Sequence, residues 1–84
     1  MDKILKFIRR SNSDINGYTI EIINMSHMTN ICLKNKTVSI YVDESPAMPS
    51  EYCFESEQTA KNEFDRIIGF LTNDFDVLLE VEYD

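Results

Sequence analysis

From Phe75 to Asp84 the chain alternates with a period of two. Phe75, Val77, Leu79, Val81 and Tyr83 fall on one side, and Asp76, Leu78, Glu80, Glu82 and Asp84 on the other. Successive side chains of a strand point to opposite faces of a sheet, so this pattern predicts a strand with one buried face and one wet, acidic face. Immediately upstream, Ala60, Phe64, Ile67, Ile68 and Leu71 recur at helical spacing, the mark of a helix with one apolar stripe. Ser56 is a natural N-cap for that helix and Glu57 suits its first turn. Glu57 and Lys61 form a well-oriented i,i+4 pair on its outer side. Asn73 can take the left-handed position that ends it. A helix stripe and a strand face both need apolar cover, which leads to an α+β domain.

The rest of the chain supplies the sheet. Tyr18 to Met25 is β-branched and aromatic, with Tyr18, Ile20 and Ile22 on one face. Ile23 and Met25 fall opposite them and, with Leu78 and Phe70, are candidates for an exposed apolar patch. Ile31 and Leu33 share a face, as do Val38, Ile40 and Val42, and Asn35-Lys36 between them reads as a two-residue hairpin loop. Pro46 and Pro49 place a loop over 43–50, and Tyr52-Cys53-Phe54 reads as a short strand. Residues 2–10 read as a short helix: Asp2 caps it, Ile4, Leu5 and Ile8 share a side, and Arg9 and Arg10 suit the negative end of its dipole. The run 11–17 is rich in turn formers and reads as a loop. The expectation is therefore a single domain over 1–84. It has a short N-terminal helix, an antiparallel sheet of four to five strands, and one long amphipathic helix before a C-terminal strand.

Composition narrows the class. With 84 residues and 43% hydrophobic content the chain can build one small core. Its apolar runs are pairs and triplets, far short of the roughly 20 residues a membrane helix needs. The N-terminus interleaves basic with apolar residues, unlike a signal peptide, so a cytoplasmic location is expected. Cys32 and Cys53 are read as reduced, partly buried thiols, since small secreted domains stapled by disulfides usually carry more. His27 is the only histidine and no CxxC occurs, which argues against a structural zinc site.

No catalytic constellation is legible. His27 falls in a loop while Cys32 and Cys53 fall in strands, and a Cys–His nucleophile needs the two within hydrogen-bond reach. Isolated Gly17 and Gly69 make no phosphate-cradling loop. Asn73-Asp74-Phe75-Asp76 offers oxygen ligands, but a strand follows where a calcium loop would continue. The expectation is a protein without enzymatic activity, metal or cofactor.

Charge is the feature that points to a partner. The net charge of −7 divides into +3 over residues 1–42 and −10 over residues 43–84. Direct nucleic-acid binding relies on Lys and Arg neutralising phosphates, so it is disfavoured. Acids on the last strand repeat at about 6.5–7 Å, a pitch that can imitate phosphates along a nucleic-acid strand. Asp43, Glu44, Glu51, Glu55, Glu57, Asp74, Asp76, Glu80, Glu82 and Asp84 are the candidate partner-binding residues. They would meet a basic surface on a nucleic-acid-handling enzyme, with long-range steering. The bland alternative is that the acids only keep the chain soluble and guard strand edges. On that alternative the protein is an interaction module, or a homodimer through its sheet.

The helix expected over 4–10, the strand opening Gly17-Tyr18-Thr19-Ile20-Glu21 and the acidic second half together resemble small phage-encoded anti-CRISPR proteins. The likeness is to the compact acidic type that blocks an RNA-guided nuclease. It implies inhibition by occupying a nucleic-acid or partner site of a host defence enzyme. The chain departs from that plan by ending in an amphipathic strand, so no functional residue carries over.

Overall fold

The computed structural model describes residues 3–10, 18–45 and 47–83. The expected loop over 11–17, the Asp2 cap, Pro46 and Asp84 lie outside the described residues. Six strands and one α-helix are described, in the order β1 (Ile4–Arg10), β2 (Tyr18–Asn24), β3 (Met28–Lys34), β4 (Thr37–Val42), β5 (Ser50–Cys53), α1 (Glu57–Thr72) and β6 (Leu78–Tyr83).

The N-terminal segment is a strand, not the expected helix. Leu5 and Phe7 alternate and both are fully buried, while Ile4, Lys6 and Ile8 face the other way. Such a short helix is marginal in water and must dock to persist. As a strand, the same residues have hydrogen-bonded neighbours on both sides. β1 pairs antiparallel with β2 (Lys6 opposite Ile22, Ile8 opposite Ile20) and parallel with β6 (Leu5 beside Leu79, Phe7 beside Val81).

The expected single antiparallel sheet is instead two three-stranded sheets. One, in the order β2-β1-β6, is mixed; the other, β3-β4-β5, is antiparallel throughout. The division falls at a 3-10 turn, Met25–His27, between β2 and β3. Asn24 caps that turn, its Oδ1 accepting from the Ser26 N–H at 3.0 Å. The hairpin between β3 and β4 forms where expected. Asn35 takes φ 54° there, the only positive φ of a non-glycine among the described residues, a conformation asparagine tolerates better than most.

The two sheets meet through aromatic rings. Phe7 on β1 stacks on Tyr52 of β5 with centroids 3.7 Å apart, and Tyr83 of β6 meets Tyr52 edge-on at 5.0 Å. Val38, Ile40, Phe54 and Val81 complete the sheet side of the core, as alternation predicts for β4 and β6. α1 lies against β3, β4 and β6, so it contacts both sheets.

The helix begins as the sequence indicates, with Ser56 Oγ accepting from the Thr59 N–H at 3.1 Å. Its buried face is Ala60, Ile67 and Phe70, flanked by Phe64 and Leu71. This corrects two expectations: Phe70 is buried, and Ile68 is exposed. Lys61 pairs with Asp65 at 2.9 Å, not with Glu57. Asn73 ends the helix with extended backbone (φ −91°, ψ 161°), not in the left-handed region. Its side chain explains why, since Oδ1 accepts from the N–H groups of Phe75 and Asp76 at 3.0 Å and turns the chain by itself. The final carbonyls are met by Lys3, whose ammonium donates to Phe70 O and Asn73 O and lies 4.8 Å from the Phe70 ring centroid. A cation there complements the negative end of the helix dipole. Because the turn occupies 73–76, β6 starts later than the alternation implied, and Phe75 and Val77 are exposed rather than buried.

Candidate functional site

The outer faces of the two sheets carry opposite chemistry. On the mixed sheet, register aligns Ile22, Lys6 and Glu80 in one row and Ile20, Ile8 and Glu82 in the next. Ile4 and Leu78 share a third row. Ile20 is 53% exposed, Ile22 66% and Leu78 51%, so apolar side chains stand on this face in water. Lys6 Nζ lies 3.7 Å from Glu80 Oε1, pairing charge within the face. On the antiparallel sheet the outward rows are Cys32, Ser39 and Glu51, then Lys34, Thr37 and Cys53. That face is polar.

This reverses the expected sides of β2. Ile23 and Met25 pack against the core, while Ile20 and Ile22 point outward. The cause is the neighbouring strand: Leu5 must face inward, and Ile23 is its register partner. The adjacent pair Ile22-Ile23 was the signal available in the sequence, since a strand must turn one of two successive apolar residues outward. β2 is also an edge strand of the mixed sheet. It carries no Pro, Lys or Arg, and its one charge, Glu21, faces inward beside Phe7 and accepts the Tyr52 hydroxyl at 2.6 Å. Burial, then the hydrogen bond and charge of Glu21, push the Tyr52 phenol far above its ordinary value. Burial and Glu21 also raise Tyr83, with Arg9 opposing.

The candidate acids are not gathered in one place. Glu80 and Glu82 stand two residues apart on the outer face of the mixed sheet, and Glu51 stands on the outer face of the antiparallel sheet. Glu55 and Glu57 flank the start of α1, and Asp74 and Asp76 lie in the turn after it. Asp43 and Glu44 follow β4. The row at strand pitch is thus Glu80 and Glu82 among the described residues, and Asp76 accepts from Asn73 Nδ2 at 3.1 Å. Cys32 and Cys53 carry free thiols, as expected, but both are exposed rather than partly buried.

His27 gains neighbours that its place in a loop did not reveal. The β3–β4 hairpin register pairs Lys34 with Thr37 and Asn30 with Tyr41, then shifts by one residue so that Met28 meets Val42. The next step brings His27 to Asp43. The Asp43 N–H donates to His27 O at 2.9 Å, and His27 Nδ1 lies 3.5 Å from Asp43 Oδ2. Glu44 completes a group whose ligand atoms all lie within 4.8 Å of one another. Beside it opens a cavity of about 300 Å³ lined by Ile22, Ile23, Asn24, His27, Val42, Glu44 and Ser50.

Comparison with protein-family models, with curated proteins and with solved structures gave no match. The resemblance to anti-CRISPR inhibitors therefore rests on sequence features alone, and the segment 4–10 that contributed to it is a strand.

Proposed function

We propose that this protein is a non-enzymatic interaction module that self-associates through the outer face and β2 edge of its mixed sheet. The observation that carries this reading is the pair Ile20 and Ile22, more than half exposed on an edge strand. A free edge presents unpaired backbone N–H and C=O groups, and proteins that avoid pairing defend it with Pro, Lys, bulges or inward-pointing charges. Of these β2 carries only the inward-facing Glu21, which is held on its own sheet by the Tyr52 hydroxyl. Pairing β2 with β2 of a second copy about a two-fold axis closes the assembly, since each edge is used once. Charge supports a second copy as the occupant. The −10 of residues 43–84 is borne mostly away from this face, and Lys6 sits against Glu80 on it.

Sedimentation velocity over a concentration series tests the reading. The parent chain is expected to shift from monomer to dimer with little dependence on salt, and Ile22→Lys to remain monomeric with an unchanged melting temperature. A parent chain that stays monomeric at every concentration rules the reading out.

A second reading keeps the protein as an acidic inhibitor that occupies a basic nucleic-acid-binding surface of a host defence enzyme. The charge bias of the second half and the two-residue pitch of Glu80 and Glu82 favour it. It predicts salt-sensitive capture of a nucleic-acid-handling enzyme, lost in the variant carrying Asp76→Lys, Glu80→Lys and Glu82→Lys. Retained capture by that variant counts against it.

A further inference from the structure

We infer that His27, Asp43 and Glu44 form a binding site for one divalent transition-metal ion of the zinc class. The donor set is one imidazole nitrogen and two carboxylates, the ligand types that such ions take with water in the remaining positions. The spacing fits. A tetrahedral ion with bonds of about 2.0–2.1 Å holds its ligand atoms about 3.4 Å apart, and His27 Nδ1 to Asp43 Oδ2 is 3.5 Å. The third ligand lies within 4.8 Å of the others, and Glu44 is an exposed, long side chain whose rotamers span the remaining distance.

Two further features distinguish this group from a solvated ion pair. The backbones of His27 and Asp43 are fixed to each other by the 2.9 Å hydrogen bond that ends the hairpin. Asn24 holds the 3-10 turn that presents the imidazole, accepting from both the N–H and the hydroxyl of Ser26 at 3.0 and 2.9 Å. Two ligands are thus positioned before any ion arrives, which lowers the ordering cost of binding. The cavity lined by His27 and Glu44 adjoins the group, leaving room for water or a small ligand on the ion. An ion there also neutralises Asp43 and Glu44, two adjacent carboxylates in the most acidic part of the chain.

Calorimetric titration with zinc chloride tests the site. The full-length chain should carry Cys32→Ser and Cys53→Ser, because cysteine sulfur is itself a zinc ligand and both side chains are exposed on the antiparallel sheet. One saturable equivalent is expected. His27→Ala and Glu44→Gln should each weaken binding by at least about 10-fold, the lower end of what loss of even an outer-shell partner costs. Glu51→Gln, on the other sheet, should leave it unchanged. All three positions are exposed, and thermal melts without metal establish that each variant is folded. No saturable heat, or binding by His27→Ala at parental affinity, overturns the assignment. Self-association is read separately, by sedimentation at the same protein concentration without metal.

Discussion

The mixed and antiparallel sheets each have three strands and each turn one face to a shared core, yet their other faces diverge. The antiparallel sheet follows the usual rule of apolar inside and polar outside, with Cys32, Ser39, Glu51, Lys34 and Thr37 facing outward. The mixed sheet breaks it, with Ile4, Ile8, Ile20, Ile22 and Leu78 on its outer side. An antiparallel sheet can leave one face in water when alternation supplies polar residues there. On the mixed sheet alternation supplies Lys6, Glu80 and Glu82 but leaves these five apolar side chains among them. Its apolar residues lie on both faces of β1 and β2, a pattern that suits a strand covered on both sides. The difference is what singles out the outer face of the mixed sheet for the proposed contact.

Phe7 and Ile8 are neighbours on β1, one in the core and one half-buried on the outer face. Phe7→Ala should cost about 3–5 kcal/mol, since it removes the ring that stacks on Tyr52 and joins the two sheets. Urea unfolding reads this as a large fall in midpoint, and Ile8→Ala should cost clearly less. Next in size is Tyr52→Phe, which leaves the ring stack in place but removes the hydroxyl that donates to Glu21. A loss of about 1–3 kcal/mol is expected for a hydrogen bond to a charged group.

The same tyrosine sets an alkaline limit. The pKa values of Tyr52 and Tyr83 are both raised on folding, chiefly by burial and then by Glu21. The folded state therefore holds these protons more tightly than the unfolded state does. Their stabilising contribution is complete below the ordinary phenol value of about 10 and is lost as pH rises beyond it. Urea midpoints should stay level through neutral pH and fall above about pH 10, with a shallower fall in Tyr52→Phe.

Lys3→Met comes third, at about 1 kcal/mol. It keeps the stem over Phe70 but removes the cation from the end of α1. A melt in high salt, where the dipole interaction is screened, should narrow the gap to the parent.

These elements also show what the sequence made legible. The amphipathic helix and its Ser56 cap, the Asn35-Lys36 hairpin and the inward residues of β4 and β6 all follow from local periodicity. They are segments in which one pattern fits and the other does not. Residues 4–8 fit both patterns: Ile4, Leu5 and Ile8 share a helical face, while Leu5 and Phe7 share a strand face. Long-range pairing with β6, more than seventy residues downstream, decides between them. The outward turn of Ile20 and Ile22 has the same origin, because β2 takes its facing from β1. His27 beside Asp43 was within reach of the hairpin register, but only with the one-residue shift near Met28, which the sequence does not announce. The nine described candidate acids share a charge but stand on different elements and faces, and their placement depends on the whole fold.

The smallest expected effect on stability is also the most discriminating for function. Ile22→Thr on the mixed sheet and Ser39→Ala on the antiparallel sheet should each change stability by no more than about 0.5–1 kcal/mol. Only the first should weaken association. The most direct measurement is a pair of amide ¹H–¹⁵N spectra of the parent chain, one dilute and one concentrated. The account predicts that concentration-dependent changes gather on Ile20, Ile22 and their β2 neighbours and spare Cys32, Ser39 and Glu51. Changes centred on the antiparallel sheet, or none at any concentration, would contradict it.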